Sequence, residues 1–219
     1  VADDADLVVA GNPNNPTGTL DDPARLAALC RPGRVTVVDE AFVDFVADPA
    51  ASLAARADLP GLVVVRSVTK LWGLAGLRAG YLLGPAEVLA RLAALRQPWP
   101  LAAPALTALE VCAGDDGYRR EVAARVTAER ARLLAALRAL PGVTASDACA
   151  NFVLFKVPDG ARVHAALLDR GIAVRPSTFP GLDRDHLRTA VRDEAATAAL
   201  TGALREILSA GDASGGDAR

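Results

Sequence analysis

Three short runs of apolar residues punctuate the first third of the chain: LVVAG at 7–11, VTVVDE at 35–40 and LVVVRS at 62–67. Each is rich in Val and lacks the apolar–polar alternation of a half-exposed strand, so each reads as a strand covered on both faces. Between the first two lies DDPARLAALC (21–30), opened by acids and Pro23, with apolar residues at helical spacing. DPAASLAARA (48–57) reads as a shorter helix between the second and third. Strand, helix, strand, helix, strand predicts a parallel sheet with right-handed crossovers. A further strand is expected at 79–84 (AGYLLG), then helices at 86–97 and 104–113, separated by the rigid QPWP.

A long amphipathic segment follows from Gly117 to Leu140, and Pro141 and Gly142 stop it. Past that point the rhythm changes. NFVLFKV (151–157), ARVHAALLDRG (161–171), IAVRP (172–176), HLRTAVR (186–192) and DEAATAALTGALREIL (193–208) read as strand, helix, strand, strand, helix. The fold class expected is therefore α/β, a mostly parallel sheet with flanking helices, joined to a smaller α+β C-terminal domain. Residues 1–116 form the larger unit, and 117–208 the smaller one with the long linking helix. Residues 209–219, SAGDASGGDAR, read as a disordered tail.

Composition narrows the function classes. Hydrophobic residues make up 52% and mean hydropathy is +0.24, so a large core is available and disorder is disfavoured. Net charge is -2 with both signs scattered, and no basic patch interleaves with aromatics, which argues against a nucleic-acid partner. Cys30, Cys112 and Cys149 are widely spaced and form no CxxC, as expected of reduced thiols in a cytoplasmic protein. His164 and His186 lack partners at metal-ligand spacing, so no metal is expected. No run of eighteen apolar residues suggests a membrane span.

Ligands of parallel α/β sheets sit at the carboxyl ends of the strands. Those ends carry NPNNPTG (12–18) with Asn15, then Asp39, then SVTK (67–70) with Lys70. Asp39 and Glu40 would suit a nucleotide-hydrolysing site, but no GxxxxGK[ST] loop accompanies them. SVTK fits the S-x-x-K of penicillin-recognising enzymes, whose K-T-G strand is missing here. GLAGLRAG (73–80) is not G-x-G-x-x-G, so its glycines read as close backbone approach, with Arg78 as a fixed cation among them.

Taken together, NPNNPTG, VVDEAF and SVTKLWGLAGLRAG, in that order, resemble the class I/II aminotransferase superfamily of pyridoxal-phosphate enzymes, fold type I. The resemblance implies pyridoxal 5′-phosphate as cofactor. It implies that Asn15 donates to the cofactor's phenolic oxygen and that Asp39 keeps its ring nitrogen protonated. Lys70 then carries the cofactor covalently, and once released moves protons, with partial burial lowering its pKa. Ser67 and Arg78 bind the cofactor phosphate. Phe42 stands where many relatives, including histidinol-phosphate aminotransferases, have Tyr, which leaves the phenolic oxygen relying on Asn15. In the second unit, HLRTAVR resembles the segment whose first Arg, here Arg188, grips the substrate carboxylate, and Asn151 matches a position near the substrate. Arg192 shares the strand parity of Arg188.

DEAFVDF, RQPWP and VRPSTFPGLDRDHLRTAVR are similar to segments of threonine-phosphate decarboxylases of cobalamin biosynthesis. That likeness implies decarboxylation of L-threonine O-3-phosphate to an aminopropanol phosphate, with Arg175 anchoring the substrate phosphate. An aminotransferase of the histidinol-phosphate type is the alternative, since the two reactions share nearly every residue. Homodimers are implied by the resemblance alone. The chain starts at Val1, contains no Met, and opens one strand before NPNNPTG, so it resembles the C-terminal part of such an enzyme. A non-catalytic fragment or partner subunit, with an unpaired sheet edge, is the reading from another class.

Overall fold

The computed structural model describes residues 1–214, with side chains through Ala210. It divides into two compact units. The first comprises Val1–Asn15 and Thr19–Ala124; the second comprises Pro16–Gly18 and the chain from Arg125 onward. The division falls inside a helix rather than at 116/117.

The first unit is built on a four-stranded sheet of β1 (Leu7–Gly11), β2 (Val35–Asp39), β3 (Leu62–Ser67) and β4 (Gly80–Leu83), in that order. The first three strands are parallel, and Gly11 stands beside Asp39 and Asp39 beside Val65. β4 runs antiparallel to β3. The link from β3 to β4, residues 68–79, holds one 3-10 turn (Ala75–Leu77) and no crossover α-helix, in keeping with the return in the opposite direction. Gly80 permits that return, because a Cβ there would lie 2.5 Å from the carbonyl oxygen of Arg66.

One face of this sheet buries Val38, Leu62 and Val64 against Leu26 and Leu53. On the other face Leu7 and Val9 are 59% and 67% exposed, so β1 is not covered on both sides as its composition suggests. The helices of this unit are α1 (Pro23–Ala27), α2 (Ala86–Ala94) and α3 (Ala103–Gly114), followed by the start of α4 (Asp116–Arg138). α1 is capped by Asp22, whose side chain accepts from the Ala24 N–H, and Pro23 occupies its first position. The helix expected at 48–57 does not form; only a single 3-10 turn, Pro49–Ala51, is present. The reason is tertiary. The Leu53 N–H, which a helix would use internally, donates instead to Glu40 Oε1 at 2.7 Å.

The second unit holds the rest of α4, then β5 (Thr144–Ala145), β6 (Phe152–Lys156), α5 (Gly160–Asp169), β7 (Arg175–Pro176), β8 (His186–Ala190) and α6 (Glu194–Ser214). Its sheet has the order β5-β6-β8-β7 and is antiparallel throughout. Leu133, Leu137 and Leu140 follow one face of α4 and its end, and meet Val153 and Phe155 of β6. Val163, Leu167, Leu187, Leu200, Leu204 and Ile207 complete this core. Each such side chain contributes roughly 1.5–3 kcal/mol on burial.

Three expectations are corrected here. The strand at 172–176 shrinks to Arg175–Pro176, and β8 ends at Ala190, so Arg192 has no strand parity with Arg188. α6 runs on to Ser214, so 209–214 continue a helix and are not tail. The remainder of the expected tail, 215–219, lies outside the described residues. Among the described residues no helix is long and apolar enough to cross a membrane.

Candidate active site

The rigidity of NPNNPTG is rooted in Asn12, which the sequence reading passed over in favour of Asn15. Asn12 is 1% exposed. Its N–H donates to the carbonyl of Asp39 at 2.9 Å, so it is tied to the end of β2. Its side chain accepts from the Asp21 N–H at 2.8 Å and donates to the Asp21 carbonyl at 3.3 Å. The Asn14 N–H closes the loop onto the Thr19 carbonyl at 2.8 Å. Asn15 then stands exposed beyond this clasp. Burial, which the sequence does not show, sets Asn12 apart from Asn14 and Asn15.

Because β1, β2 and β3 are parallel neighbours, their carboxyl ends share one edge, and the expected cofactor residues of this unit gather there. Asp39 is exposed at the end of β2, and its Oδ1 accepts from the Ala41 N–H at 2.9 Å. The half-buried ring of Phe42 lies 5.3 Å from Lys70 Nζ. Ser67 closes β3, donating to Thr69 Oγ1 at 2.8 Å and accepting from the Thr69 N–H at 3.1 Å. Lys70 itself is exposed in this chain, not partly buried. Arg78 is exposed and sits in the left-handed region at φ 51°, donating to the Ala75 carbonyl at 3.3 Å. An amine, a carboxylate, an amide, a hydroxyl and a guanidinium are thus supplied by the loops of one edge.

Behind this edge lies a network absent from the sequence reading. Strand side chains alternate between faces, so Glu40 and Arg66 turn away from Asp39 and Ser67. Arg66 Nη1 donates to Glu40 Oε2 at 3.0 Å, and its Nη2 to Asp44 Oδ1 at 2.5 Å. Ser52 Oγ donates to Glu40 Oε2 at 2.6 Å, and Trp72 Nε1 to Asp44 Oδ2 at 3.3 Å. Burial opposes the charge on Arg66, but Asp44, Tyr81 and Glu40 outweigh it and push its pKa up.

The polar residues expected around substrate belong to the second unit. β7 and β8 set Arg175 directly opposite Arg188. The Arg188 guanidinium lies 4.8 Å from the ring centre of Phe152 and 6.0 Å from that of Phe179, and Arg175 lies 4.7 Å from Phe179. Burial, and then the like charge of Arg175, hold the pKa of Arg188 below its ordinary value. Asn151 is half-buried just before β6, and its carbonyl accepts from the Val191 N–H at 2.9 Å. The segment leading to it is held by Arg130, a buried cation that donates to the carbonyls of Cys149 and Ala150 at 3.4 and 3.1 Å. Burial lowers the pKa of Arg130, with only the nearby Cys149 acting against it.

A family model described as aminotransferase class I and II matches residues 2–204. A histidinol-phosphate aminotransferase of Mycobacterium tuberculosis is 49% identical over 197 residues, covering 89% of this chain and 54% of that protein. A threonine-phosphate decarboxylase of Salmonella typhimurium is 33% identical over 212 residues, covering 94% of this chain and 58% of that one. Among solved structures, the histidinol-phosphate aminotransferase from Clostridium acetobutylicum matches with a TM-score of 0.89 at 29% identity, over 95% of this chain and 65% of that one. The chain therefore spans less than two thirds of the length of each of these relatives.

Proposed function

The chain belongs to the aminotransferase class I and II family, and on that premise we propose that the protein is a pyridoxal-phosphate-dependent enzyme acting on small phosphorylated amines. The donor set at the sheet edge fits the cofactor. An exposed amine suits its aldehyde, a carboxylate its ring nitrogen, an amide its phenolic oxygen, and a hydroxyl with a guanidinium its phosphate. When bound, pyridoxal phosphate supplies an electron sink for the bonding pair released at the substrate's Cα. Asp39 keeps a proton on the ring nitrogen, and Asn15 donates to the phenolic oxygen. Ser67 and Arg78 bind the phosphate. Lys70 holds the cofactor and, once free, moves the proton at Cα. Phe42 offers a ring face and no hydroxyl, so the amide of Asn15 carries the phenolic contact.

The observation that carries the choice of substrate is the pairing of Arg175 with Arg188. Two guanidinium groups facing one another across a strand pair form a cationic site that suits the phosphate of a phosphorylated substrate, each able to bind it through charge-assisted hydrogen bonds. The 49% identity to a histidinol-phosphate aminotransferase favours amino transfer from a phosphorylated amino alcohol of that type. A second reading has its own support: two adjacent guanidinium groups suit a molecule bearing both a carboxylate and a phosphate. In that reading Arg188 holds the carboxylate, Arg175 the phosphate and Asn151 the substrate's polar flank, and the reaction is decarboxylation of threonine phosphate in cobalamin biosynthesis. Either way the protein acts in the cytoplasm, as a homodimer.

Titration of the chain with pyridoxal phosphate, borohydride reduction and peptide mapping test the first step. A visible absorption band with the label on Lys70 supports the reading; the absence of both overturns it for this chain. Assays of amino transfer from histidinol phosphate to a 2-oxo acid, and of CO2 release from threonine phosphate, then separate the two reactions.

A further inference from the structure

Lys70 stands in a turn whose two shoulders are tied to a single carboxylate. On the N-terminal side Arg66, the penultimate residue of β3, donates to Asp44 Oδ1 at 2.5 Å. On the C-terminal side Trp72 Nε1 donates to Asp44 Oδ2 at 3.3 Å. The carboxylate thus spans the turn, one oxygen on each side. Asp44 is itself well seated, within a single helical turn between the buried Val43 and Phe45. It stands two residues after Phe42, whose ring faces the Lys70 amine at 5.3 Å.

The frame is braced from both ends. Arg66 is held from behind by Glu40, which also accepts from Ser52 Oγ and the Leu53 N–H. Trp72 stacks on Tyr118, with ring centres 5.5 Å apart and planes inclined by 27°. Three members of this frame neighbour residues of the candidate site in sequence: Glu40 beside Asp39, Arg66 beside Ser67, and Trp72 two residues after Lys70.

We infer that Asp44 is a positioning residue: through Arg66 and Trp72 it fixes the turn that presents the Lys70 amine beside Phe42. This rests on the reading of Lys70 as the cofactor's lysine, but its test does not need the cofactor. Lys70 and Lys156 are the two lysines of the chain. Lys156 lies in the second unit, where its Nζ pairs with Asp183 at 2.6 Å, and serves as an internal reference. Acylation of the intact chain with an N-hydroxysuccinimide ester, followed by peptide mass spectrometry, gives the ratio of labelling at the two amines.

Trp72→Phe deletes the indole donor and keeps an aromatic face for Tyr118. It is expected to shift the Lys70-to-Lys156 ratio by about threefold or more, the low end of what one net hydrogen bond contributes. Asp44→Asn, which keeps an acceptor for the indole, should shift it less than Asp44→Ala. Leu26→Ala opens a core cluster of the same unit that contains none of Asp44, Arg66 and Trp72, and should lower the melting temperature while leaving the ratio unchanged. A Trp72→Phe chain that melts earlier with an unaltered ratio overturns the inference, as does a Leu26→Ala chain whose ratio moves equally. Should Trp72→Phe fail to fold, the order of the two Asp44 variants decides. Failure of the parent chain to bind pyridoxal phosphate would count against the functional reading and leave this comparison intact.

Discussion

Gly18 and Ala148 approach so closely that a Cβ on the glycine would lie 2.6 Å from the Cβ of the alanine. Gly18 also has φ +75°, a region that side chains disfavour, and its carbonyl accepts from the Cys149 N–H at 2.7 Å. The end of the NPNNPTG loop is thereby pinned to the segment that leads into Asn151.

Gly18→Ala is therefore expected to destabilise the fold by about 1–3 kcal/mol, from steric overlap and the unfavourable φ together. Adding Ala148→Gly should recover the steric part alone. Denaturant midpoints of the parent, single and double variants measure both contributions.

The Glu40 side chain is fully buried, and that of Arg66 is 16% exposed. Arg66→Met leaves the Glu40 carboxylate without its cation and is expected to cost about 3–5 kcal/mol in urea unfolding. Glu40→Gln added to Arg66→Met should regain part of that loss. If the double variant is less stable than Arg66→Met, the remaining bonds of Glu40 to Ser52 and Leu53 dominate over its charge.

Asp183 joins Lys156 and His186 in a surface clasp at the base of the loop between β7 and β8. The hydrogen bond from Lys156, opposed by some burial and aided by His186, holds the Asp183 carboxyl at about 2 against an ordinary 3.8. A depressed pKa means the clasp contributes fully above the ordinary value and is lost as pH falls through about 2. Amide exchange across residues 177–185 should accelerate over that acid window in the parent chain. In Asp183→Asn it should already be fast and show no such step.

Arg175→Gln should act in opposite directions on stability and binding. Removing a like charge opposite Arg188 is expected to stabilise the ligand-free chain by roughly 0.2–1 kcal/mol. The same change should abolish most of the thermal stabilisation given by a phosphorylated amine. Melting curves with and without histidinol phosphate and threonine phosphate read both effects.

Most strands and most helices were legible because Val-rich runs and helical spacing report burial directly, whereas the two-residue β5 was not. The direction of β4 was not, since a strand's composition says nothing of which way it runs. The helix expected at 48–57 was overridden by the Glu40 side chain, which captures the backbone N–H of Leu53 from 13 positions away. Asn15, Asp39, Lys70 and Arg78 were legible as candidates because they stand in three ordered motifs. Glu40, Asp44 and Arg66 look like ordinary charges in the sequence. They become a network only when strand register brings together residues 22 and 26 positions apart. Asn12 was hidden by its neighbour: three asparagines in one loop are equivalent on paper, and burial alone tells the anchor from Asn15.

The outward face of β1 carries a thermodynamic consequence. With Leu7 and Val9 on the open side of a strand that lies at the end of its sheet, association between chains removes apolar surface from water without any rearrangement within the unit. Folded and self-associated states are then linked by mass action, so the apparent melting temperature should climb with protein concentration. Replacing Leu7 and Val9 by Thr, which keeps the β-branched or compact shape a strand accepts, should flatten that dependence and make unfolding a property of the single chain.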